Sequence, residues 1–549
     1  MSQNKNISNY LSEPYNKLTE IVLKSTLYIN IVFASLTLFI VFWSLNKGLV
    51  FADESFYLLH LQQPNGVVSF SEWPFYAQLI FPTDLFQIRI LVISFFLFSV
   101  GILSFSVYRF FENIKLLEIF TIGIIGMFSF YSPVQFVPNY VTFNIILITL
   151  STGLFLLMLQ ADSKKKKYLF GILTGFTFGP LIFIMITNIP FFGLMGFVIL
   201  TYSKKEKISQ ILSIAIGIGL SIMFFFLCVR SFNNYMNDLK MAIDYLATDQ
   251  SHGNSSMLDW VLNVIIYALK SIVPSALLFF MSIYLFKNKF FKYSLFVFAL
   301  LIMLIELRAN FLDDIKNINT PTQIYVILFT IILGTLFLKR YKLSIILVFA
   351  IFIPFFASLG TDVSFVIRST VYIGISTIFA FCVVKIKENR KLLLPFYLFM
   401  SFVLFRFLVQ FPNRLGWHEY KLAEQNIPLK SIGINQNIKL DTLKIERLKK
   451  LKSIIPINSK IAVSNNTLWG NAFLLSLNPL YLSYVFDEKN TIQALNKMGN
   501  KLGNVYLIED INAPFPNSFL KQIDSLNYHY MTTNIDKEIK LYKINRKTN

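Results

Sequence analysis

Apolar runs of the length that crosses a bilayer, about 17–25 residues, recur along most of this chain. They fall at 26–46, 88–108, 116–133, 138–160, 168–185, 187–202, 208–229, 260–286, 293–307, 322–338, 343–359, 366–384 and 392–411. The pattern predicts a polytopic α-helical membrane protein of about thirteen spans. The third, ninth and eleventh runs are short, and Thr187-Asn188-Ile189-Pro190 separates two that would otherwise merge. After Phe411 the character changes. Residues 439–453 alternate charged and apolar positions at helical spacing, and Lys460-Ile461-Ala462-Val463-Ser464 has the pattern of a strand. A second strand is expected near Leu480 to Phe486 and a helix from Asn490 to Met498. A third strand is expected at Asn504 to Ile508, and a hairpin from Tyr528 to Asn545 around Asp536-Lys537. Short strands alternating with helices predict a C-terminal soluble α/β domain over 412–549. It carries no glycine-rich phosphate loop, which argues against a nucleotide site there.

Charge orients this membrane domain. The net charge is +20, but the basic residues lie in short clusters between apolar runs and not on one face of a soluble fold, so nucleic-acid binding is a poor reading. Arg109 and Lys115, Lys164 to Lys167, Lys204 to Lys207, Lys287 to Lys292, Lys339 to Lys342 and Lys385 to Lys391 fall in alternate loops. The remaining loops carry mostly acids. The positive-inside rule then puts the N-terminus inside and, with an odd number of spans, the C-terminal domain outside. Residues 1–25 are expected to form a cytoplasmic amphipathic segment. The membrane domain follows at 26–411, with long outer loops at 47–87 and 230–259. No organellar signal is visible, and a bacterial inner (plasma) membrane is expected. The two cysteines, Cys228 and Cys382, lie toward opposite ends of different spans and have no metal-ligand spacing, which leaves them as small buried apolar residues.

The feature that points to chemistry is Asp53-Glu54, a few residues past the first span. Carboxylates at a bilayer are costly and mark sites. If the loop turns helical at Asp53, then Asp53, Tyr57 and His60 share a face, with Glu54 a quarter-turn away. A carboxylate so placed can deprotonate an acceptor hydroxyl or amine. The plainer reading of the pair is an acidic helix start. Trp73 and Tyr76 either stack on a sugar or anchor the interface. His60 and His252, with Asp53 or Glu54, would make a divalent cation site; singly, each is an ordinary polar residue of an interfacial loop.

Three short stretches carry a resemblance: Asp53-Glu54 after the first span, Arg89-Ile90-Leu91 opening the second, and Pro138-Asn139-Tyr140 between the third and fourth. Together with the span count and the appended domain, they resemble the GT-C superfamily of membrane glycosyltransferases. The nearest likeness is to bacterial aminoarabinose transferases and protein O-mannosyltransferases. The resemblance implies a polyprenyl-phosphate-linked sugar donor, an envelope acceptor (lipid, glycan or protein), and inversion at the sugar carbon with Asp53 as base and Glu54 beside it. It places Tyr140 with Tyr57, His60, Trp73 and Tyr76 as candidates to hold acceptor or sugar. It also calls for cations on the donor phosphate. Lys270, ten residues into a span, and Arg368, after a turn-like loop, rank first; Arg89 and Arg308 lie near other outer span ends. Snorkelling is the alternative for the arginines, and an ion pair with an acid for Lys270.

Two other classes compete. A transporter or flippase for lipid-linked glycans would show internal repeats and broken spans at mid-depth, where this chain has an appended domain and surface acids. A non-catalytic GT-C-like subunit of an envelope assembly stays open, since an intact acid pair does not prove turnover.

Overall fold

The computed structural model describes residues 3–64, 71–111, 114–129, 136–185, 188–203, 206–248, 345–347, 349–350, 353, 372–386, 390, 393–413, 421–482, 486–498, 505–526 and 528–546. Two compact units emerge: Met1–Val41 with Ser94–Tyr131 and Phe143–Gln410, and Phe42–Ile93 with Ser132–Thr142 and Phe411–Asn549.

The first unit is helical. It is built on α1 (Gln3–Ser44), α4 (Leu85–Tyr108), α5 (Leu116–Phe128), α6 (Tyr140–Gln160), α7 (Lys164–Ile184), α8 (Ile189–Tyr202), α9 (Lys207–Phe224), α10 (Phe232–Thr248), α11 (Ile373–Lys385) and α12 (Leu393–Asn413); the second unit takes the end of α1, the start of α4 up to Ile93, the start of α6 up to Thr142 and the end of α12, together with α2 (Asp53–Gln62) and α3 (Trp73–Gln78). Among the described residues, five stretches are long and apolar enough to cross a membrane: Lys17–Ser44, Leu85–Tyr108, Tyr140–Gln160, Lys164–Ile184 and Lys207–Val229. Shorter apolar helices cover parts of 116–128, 189–202, 373–385 and 396–409. The runs read at 260–286, 293–307 and 322–338 lie outside the described residues. One helix, α1, carries both the polar N-terminal segment and the first apolar run.

Without water to drive helices together in lipid, close backbone approach does that work, and it needs small residues. Helix α7 offers Gly171, Gly175 and Gly179 at every fourth position; α9 answers with Ser213, Gly217 and Ser221. A Cβ built on Gly175 would overlap the Ile214 carbonyl oxygen, and one on Gly217 the Ile172 carbonyl oxygen, so the two main chains touch. Helices α5 and α11 repeat the device, a Cβ on Gly126 falling 2.8 Å from Thr377 Cβ. Buried polar bonds fix the same unit. Glu118 accepts from Lys385 Nζ at 3.0 Å, its carbonyl oxygen accepts from Asn30 Nδ2 at 3.3 Å, and Tyr397 Oη donates to Asn30 Oδ1 at 2.5 Å. Where α7 stops before α8, Asn188 Nδ2 donates to the Leu181 carbonyl at 3.2 Å and to Asn144 Oδ1 at 2.8 Å. The Leu181 carbonyl also accepts the Met185 amide at 2.8 Å, so Asn188 ties the break to both α7 and α6.

The second unit draws on three segments of chain, and the last of them supplies a mixed sheet. After the antiparallel pair β1 (Ile427–Pro428) and β2 (Lys439–Leu440) come α13 (Thr442–Ile454), β3 (Lys460–Val463), α14 (Trp469–Leu474), β4 (Asn478–Pro479), α15 (Glu488–Met498), β5 (Val505–Asp510), α16 (Asn517–Ser525), β6 (Tyr528–Asn534) and β7 (Ile539–Arg546). Strand order is β4-β3-β5-β7-β6. The first three are parallel, and β7 and β6 join antiparallel. The strand found here, the two-residue β4, precedes the one read near Leu480 to Phe486, of which 483–485 lie outside the described residues; Leu480 N donates to Ile461 O at 2.7 Å. Alternate residues of the strands (Ala462, Val505, Leu507, Tyr542 and Ile544) share one core with Leu495 of α15 and Phe519 and Ile523 of α16. Helix α13 starts at Asp441, whose Oδ1 caps the Lys444 amide at 2.9 Å, a standard N-cap bond. Its Arg447 forks onto Asp536 (2.8 Å) and Glu538 (2.6 Å) in the β6–β7 turn.

The loop following α1 belongs to this unit and pairs with it through backbone. Lys439 N donates to Asn46 O at 2.8 Å and Gly48 N to Lys439 O at 2.9 Å. Gly48 has φ 65, the left-handed region that favours glycine. Further along, Gly470 N donates to Phe51 O at 2.9 Å; a Cβ on Gly470 would overlap the Phe51 ring.

Candidate functional site

Helix α2 (Asp53–Gln62) begins at the acid pair. An acid at a helix start is favourable against the exposed amides there, and both carboxylates use this, but to different ends. Glu54 is 1 % exposed and Arg89 4 %. Arg89 donates Nε (3.0 Å) and Nη2 (2.6 Å) to Glu54 Oε1, while Glu54 Oε2 accepts the Val50 amide at 3.0 Å. The remaining guanidinium hydrogens reach the carbonyls of Leu45 (2.9 Å), Lys47 (3.3 Å) and Gly48 (2.9 Å). Burial pushes the Glu54 carboxyl up, against the pull of the Arg89 charge. This is a buried ion pair, two guanidinium donors on one carboxylate oxygen, that staples the 45–50 turn to the first turn of α2. Arg89, a candidate for the donor phosphate in sequence, has its donors committed inside the protein.

Asp53 differs. Along α2 the side chains of Glu54, Ser55, Phe56, Leu58, Leu59, His60 and Leu61 are buried, while Asp53 and Tyr57 are half-buried and Gln62 at the end is exposed. Asp53 and Tyr57 are one turn apart on the same face. An aromatic cluster surrounds the second of them. The Tyr57 ring lies 6.0 Å from Trp73 of α3 (Trp73–Gln78) and 6.1 Å from Tyr140 at the start of α6, both edge-on. Tyr140 is set there because Asn139 Oδ1 accepts the Thr142 amide at 2.8 Å, opening α6 just after Pro138. Helix α3 is tied to α2 by Gln78 Nε2 on Leu61 O at 2.8 Å. The structure therefore brings together Tyr57, Trp73 and Tyr140 from three separate stretches, with Asp53 one helical turn before Tyr57.

His60 shares the helical face in projection but is 3 % exposed, its ring 5.3 Å from Trp73 and 6.0 Å from Phe56. Burial lowers its pKa to about 4. Tyr76 is buried as well, and desolvation followed by the nearby Glu72 charge raises its phenol. Lys270, Arg308, Arg368 and His252 lie outside the described residues. Among the described residues no group of three or more His, Cys, Asp or Glu side chains could hold a metal ion. Glu54 has both oxygens engaged, and His60 is enclosed by rings.

The His60 burial has a measurable result. Its folded pKa lies below the ordinary 6.5, so the unfolded chain binds the proton first. Stability is full above pH 6.5 and is lost as pH falls toward 4, by about 3 kcal/mol for this group. His60→Gln is expected to remove that part of the acid sensitivity, read as the change in unfolding midpoint between pH 7 and 4.5. An equal acid response in both proteins would contradict it.

What sequence reasoning missed is the support beneath α2. Helix α14 packs along it. Gln436 Oε1 accepts the Leu85 amide at 2.9 Å, Asp84 Oδ2 accepts from Asn437 N and Nδ2 at 3.1 Å, and Gln63 Nε2 reaches Asn478 Oδ1 at 3.2 Å. No periodicity or motif signals such pairings across more than 350 positions.

No protein-family model matches the chain, and no curated protein matches it in sequence. Among solved structures, ArnT from Cupriavidus metallidurans in the apo state matches with TM-score 0.45 and 11 % identity, over 93 % of this chain and 97 % of that one. The same protein bound to undecaprenyl phosphate matches with TM-score 0.45 and 12 % identity over the same shares. The oligosaccharyltransferase of Archaeoglobus fulgidus matches with TM-score 0.40 and 12 % identity, over 88 % of this chain and 68 % of that one.

Proposed function

We propose that this protein is an inverting membrane glycosyltransferase that moves a sugar from a polyprenyl-phosphate-linked donor to an envelope acceptor at the outer face of a bacterial inner membrane. The observation that carries the reading is the division of labour in the acid pair. Glu54 is neutralised and buried by Arg89, whereas its neighbour Asp53 sits half-buried on the face of α2 that also presents Tyr57. A fixed carboxylate beside aromatic rings suits general-base chemistry on a sugar acceptor.

In this reading Asp53 takes the proton of the acceptor hydroxyl or amine as that atom bonds to the anomeric carbon. The bond from carbon to phosphate oxygen breaks, and the lipid phosphate leaves with the electron pair. Glu54 and Arg89 hold the helix start, so that Asp53 does not have to be positioned by the substrate. Tyr57 and Tyr140, both half-buried, offer their rings to a sugar, while Trp73, 1 % exposed, packs behind Tyr57 and touches no ligand. Lys270, Arg368 and Arg308 are the cations offered to the phosphate. The N-terminus is cytoplasmic and the mixed-sheet unit lies outside.

The test is sugar release from a panel of polyprenyl-phosphate sugars by purified full-length protein in nanodiscs, wild type beside Asp53→Asn. General-base catalysis contributes about 10²–10⁴ in rate, and a loss of that size with donor binding retained is expected. Equal turnover in the two proteins would sink the assignment of Asp53. A wild type that consumes no donor would favour the transporter or non-catalytic alternatives.

A further inference from the structure

The mixed sheet contains a topological switch point. From β3 the chain crosses by α14 to β4 on one side; from β4 it returns by α15 to β5 on the other side of β3. Parallel crossovers are right-handed, so these two connections lie on opposite faces of the sheet. Leu495 of α15 and Phe519 of α16 share one face's core, which assigns α14 to the other. The chain leaving the carboxyl end of β3 therefore turns to one face and the chain leaving β5 to the opposite face. Open α/β sheets bind ligands in the crevice this creates.

The residues at that crevice are polar and half-buried. After β3 come Ser464, Asn465, Asn466 and Thr467, all of intermediate exposure; β5 ends on Asp510, also half-buried. They are already ordered by one another. Ser464 Oγ accepts the Asp510 amide at 2.9 Å, Asp510 Oδ1 accepts the Asn512 amide at 2.9 Å, and Asn465 Oδ1 accepts the Thr467 amide at 3.3 Å. The bond across the crevice, Asn465 Nδ2 to Asp510 Oδ2, is long at 3.4 Å, so both ends can take a better partner. Ile511 beside them is 45 % exposed. Neither loop carries a cation. Next to Asp510, Glu509 is 5 % exposed, held by Tyr542 Oη at 2.7 Å and the Phe515 amide at 3.1 Å. Asp510, with no cation in either loop, disfavours a phosphate. A carboxylate that accepts hydroxyls, an amide that donates and accepts, and an apolar side chain for a ring face suit a neutral sugar.

The place of the crevice matters. The turn Asn466–Leu468 contacts both β5 and α2, the helix that carries Asp53. We infer that the carboxyl ends of β3 and β5 form a binding site for a neutral hydroxylated glycan, the acceptor of transfer. The role as acceptor site rests on the glycosyltransferase reading; the binding chemistry does not.

Saturation-transfer NMR on the full-length protein in detergent tests it, with neutral hexose and N-acetylhexosamine oligosaccharides and their phosphorylated counterparts as probes. Asp510→Asn keeps an acceptor for the Asn512 amide, and Asn465→Ser keeps one for Thr467, so both should fold. Wild type is expected to transfer saturation to a neutral oligosaccharide, and Asp510→Asn and Asn465→Ser to do so at least fivefold less. No transfer to any neutral oligosaccharide, a preference for the phosphorylated ones, or equal transfer in all three proteins overturns the site. Binding that persists in a wild type unable to consume any donor upholds the crevice and sinks the glycosyltransferase reading instead.

Discussion

Arg89→Ala is expected to lose about 3–5 kcal/mol of stability, the usual result of leaving one member of a buried ion pair alone. The loss should be unusually dependent on pH. In the intact protein burial already raises the Glu54 carboxyl, and Arg89 opposes that rise; without the guanidinium it goes higher. A carboxyl whose folded pKa exceeds its unfolded one holds its proton better when folded. Its contribution is fully present below the ordinary value near 4.5 and is lost as pH climbs through the folded value. The deficit of Arg89→Ala should therefore be smallest in acid and largest at neutral pH and above. Glu54→Gln in the same chain should recover part of it at pH 7, because the uncompensated charge is gone. Thermal unfolding of the single and double variants from pH 5 to 8 reads both effects. A deficit that does not change with pH would mean that Arg89 acts through its carbonyl contacts to Leu45, Lys47 and Gly48 alone.

Gly175→Val is expected to prevent the helical unit from assembling. Even Gly175→Ala places a Cβ against main chain, the Ile214 carbonyl oxygen and, at 2.8 Å, the Ile218 amide nitrogen. Neither can rotate away as a side chain would. Overpacking of a core costs about 1–3 kcal/mol where side chains can adjust. Where two backbones must part, the alanine should sit at or above the top of that range. Gly219→Ala on α9 is the control, since a Cβ there meets nothing within 4 Å and helix propensity favours alanine by about 0.5–1 kcal/mol. The fraction of monodisperse protein after extraction, and its melting temperature, should fall for Gly175 and hold or rise for Gly219. Similar behaviour of the two variants would show that the α7–α9 contact is not tight.

These two sites also show what could be read without coordinates. Gly171, Gly175 and Gly179 stand at a four-residue interval in plain view, and their partners Ser213, Gly217 and Ser221 do the same; the signal is local and was legible. Asp53 and Tyr57 were legible for the same reason, because helical spacing alone puts them on one face. The pairing of Glu54 with Arg89 was not. Both residues were noticed, but nothing in a sequence says that a cation 35 positions away will turn inward and not toward a ligand. His60 shows the limit of projection: it lies on the right face, and only the arrival of Trp73 makes that end of α2 a core. The strands at Lys460–Val463 and Val505–Asp510 follow their β-branched runs, whereas the two-residue β4 has too little pattern to be placed.

The unit that holds α2 is assembled from residues 42–93, 132–142 and 411–549, and this has a consequence for biosynthesis. The stretch bearing Asp53 leaves the ribosome hundreds of residues before Lys439 and Gly470, the backbone partners of Gly48 and Phe51. Pairings so distant in sequence form late. The nascent protein should therefore carry an unfinished, protease-sensitive loop through most of its synthesis and become competent only when its final strands close. Limited proteolysis of chains arrested on either side of Lys439 would time that event.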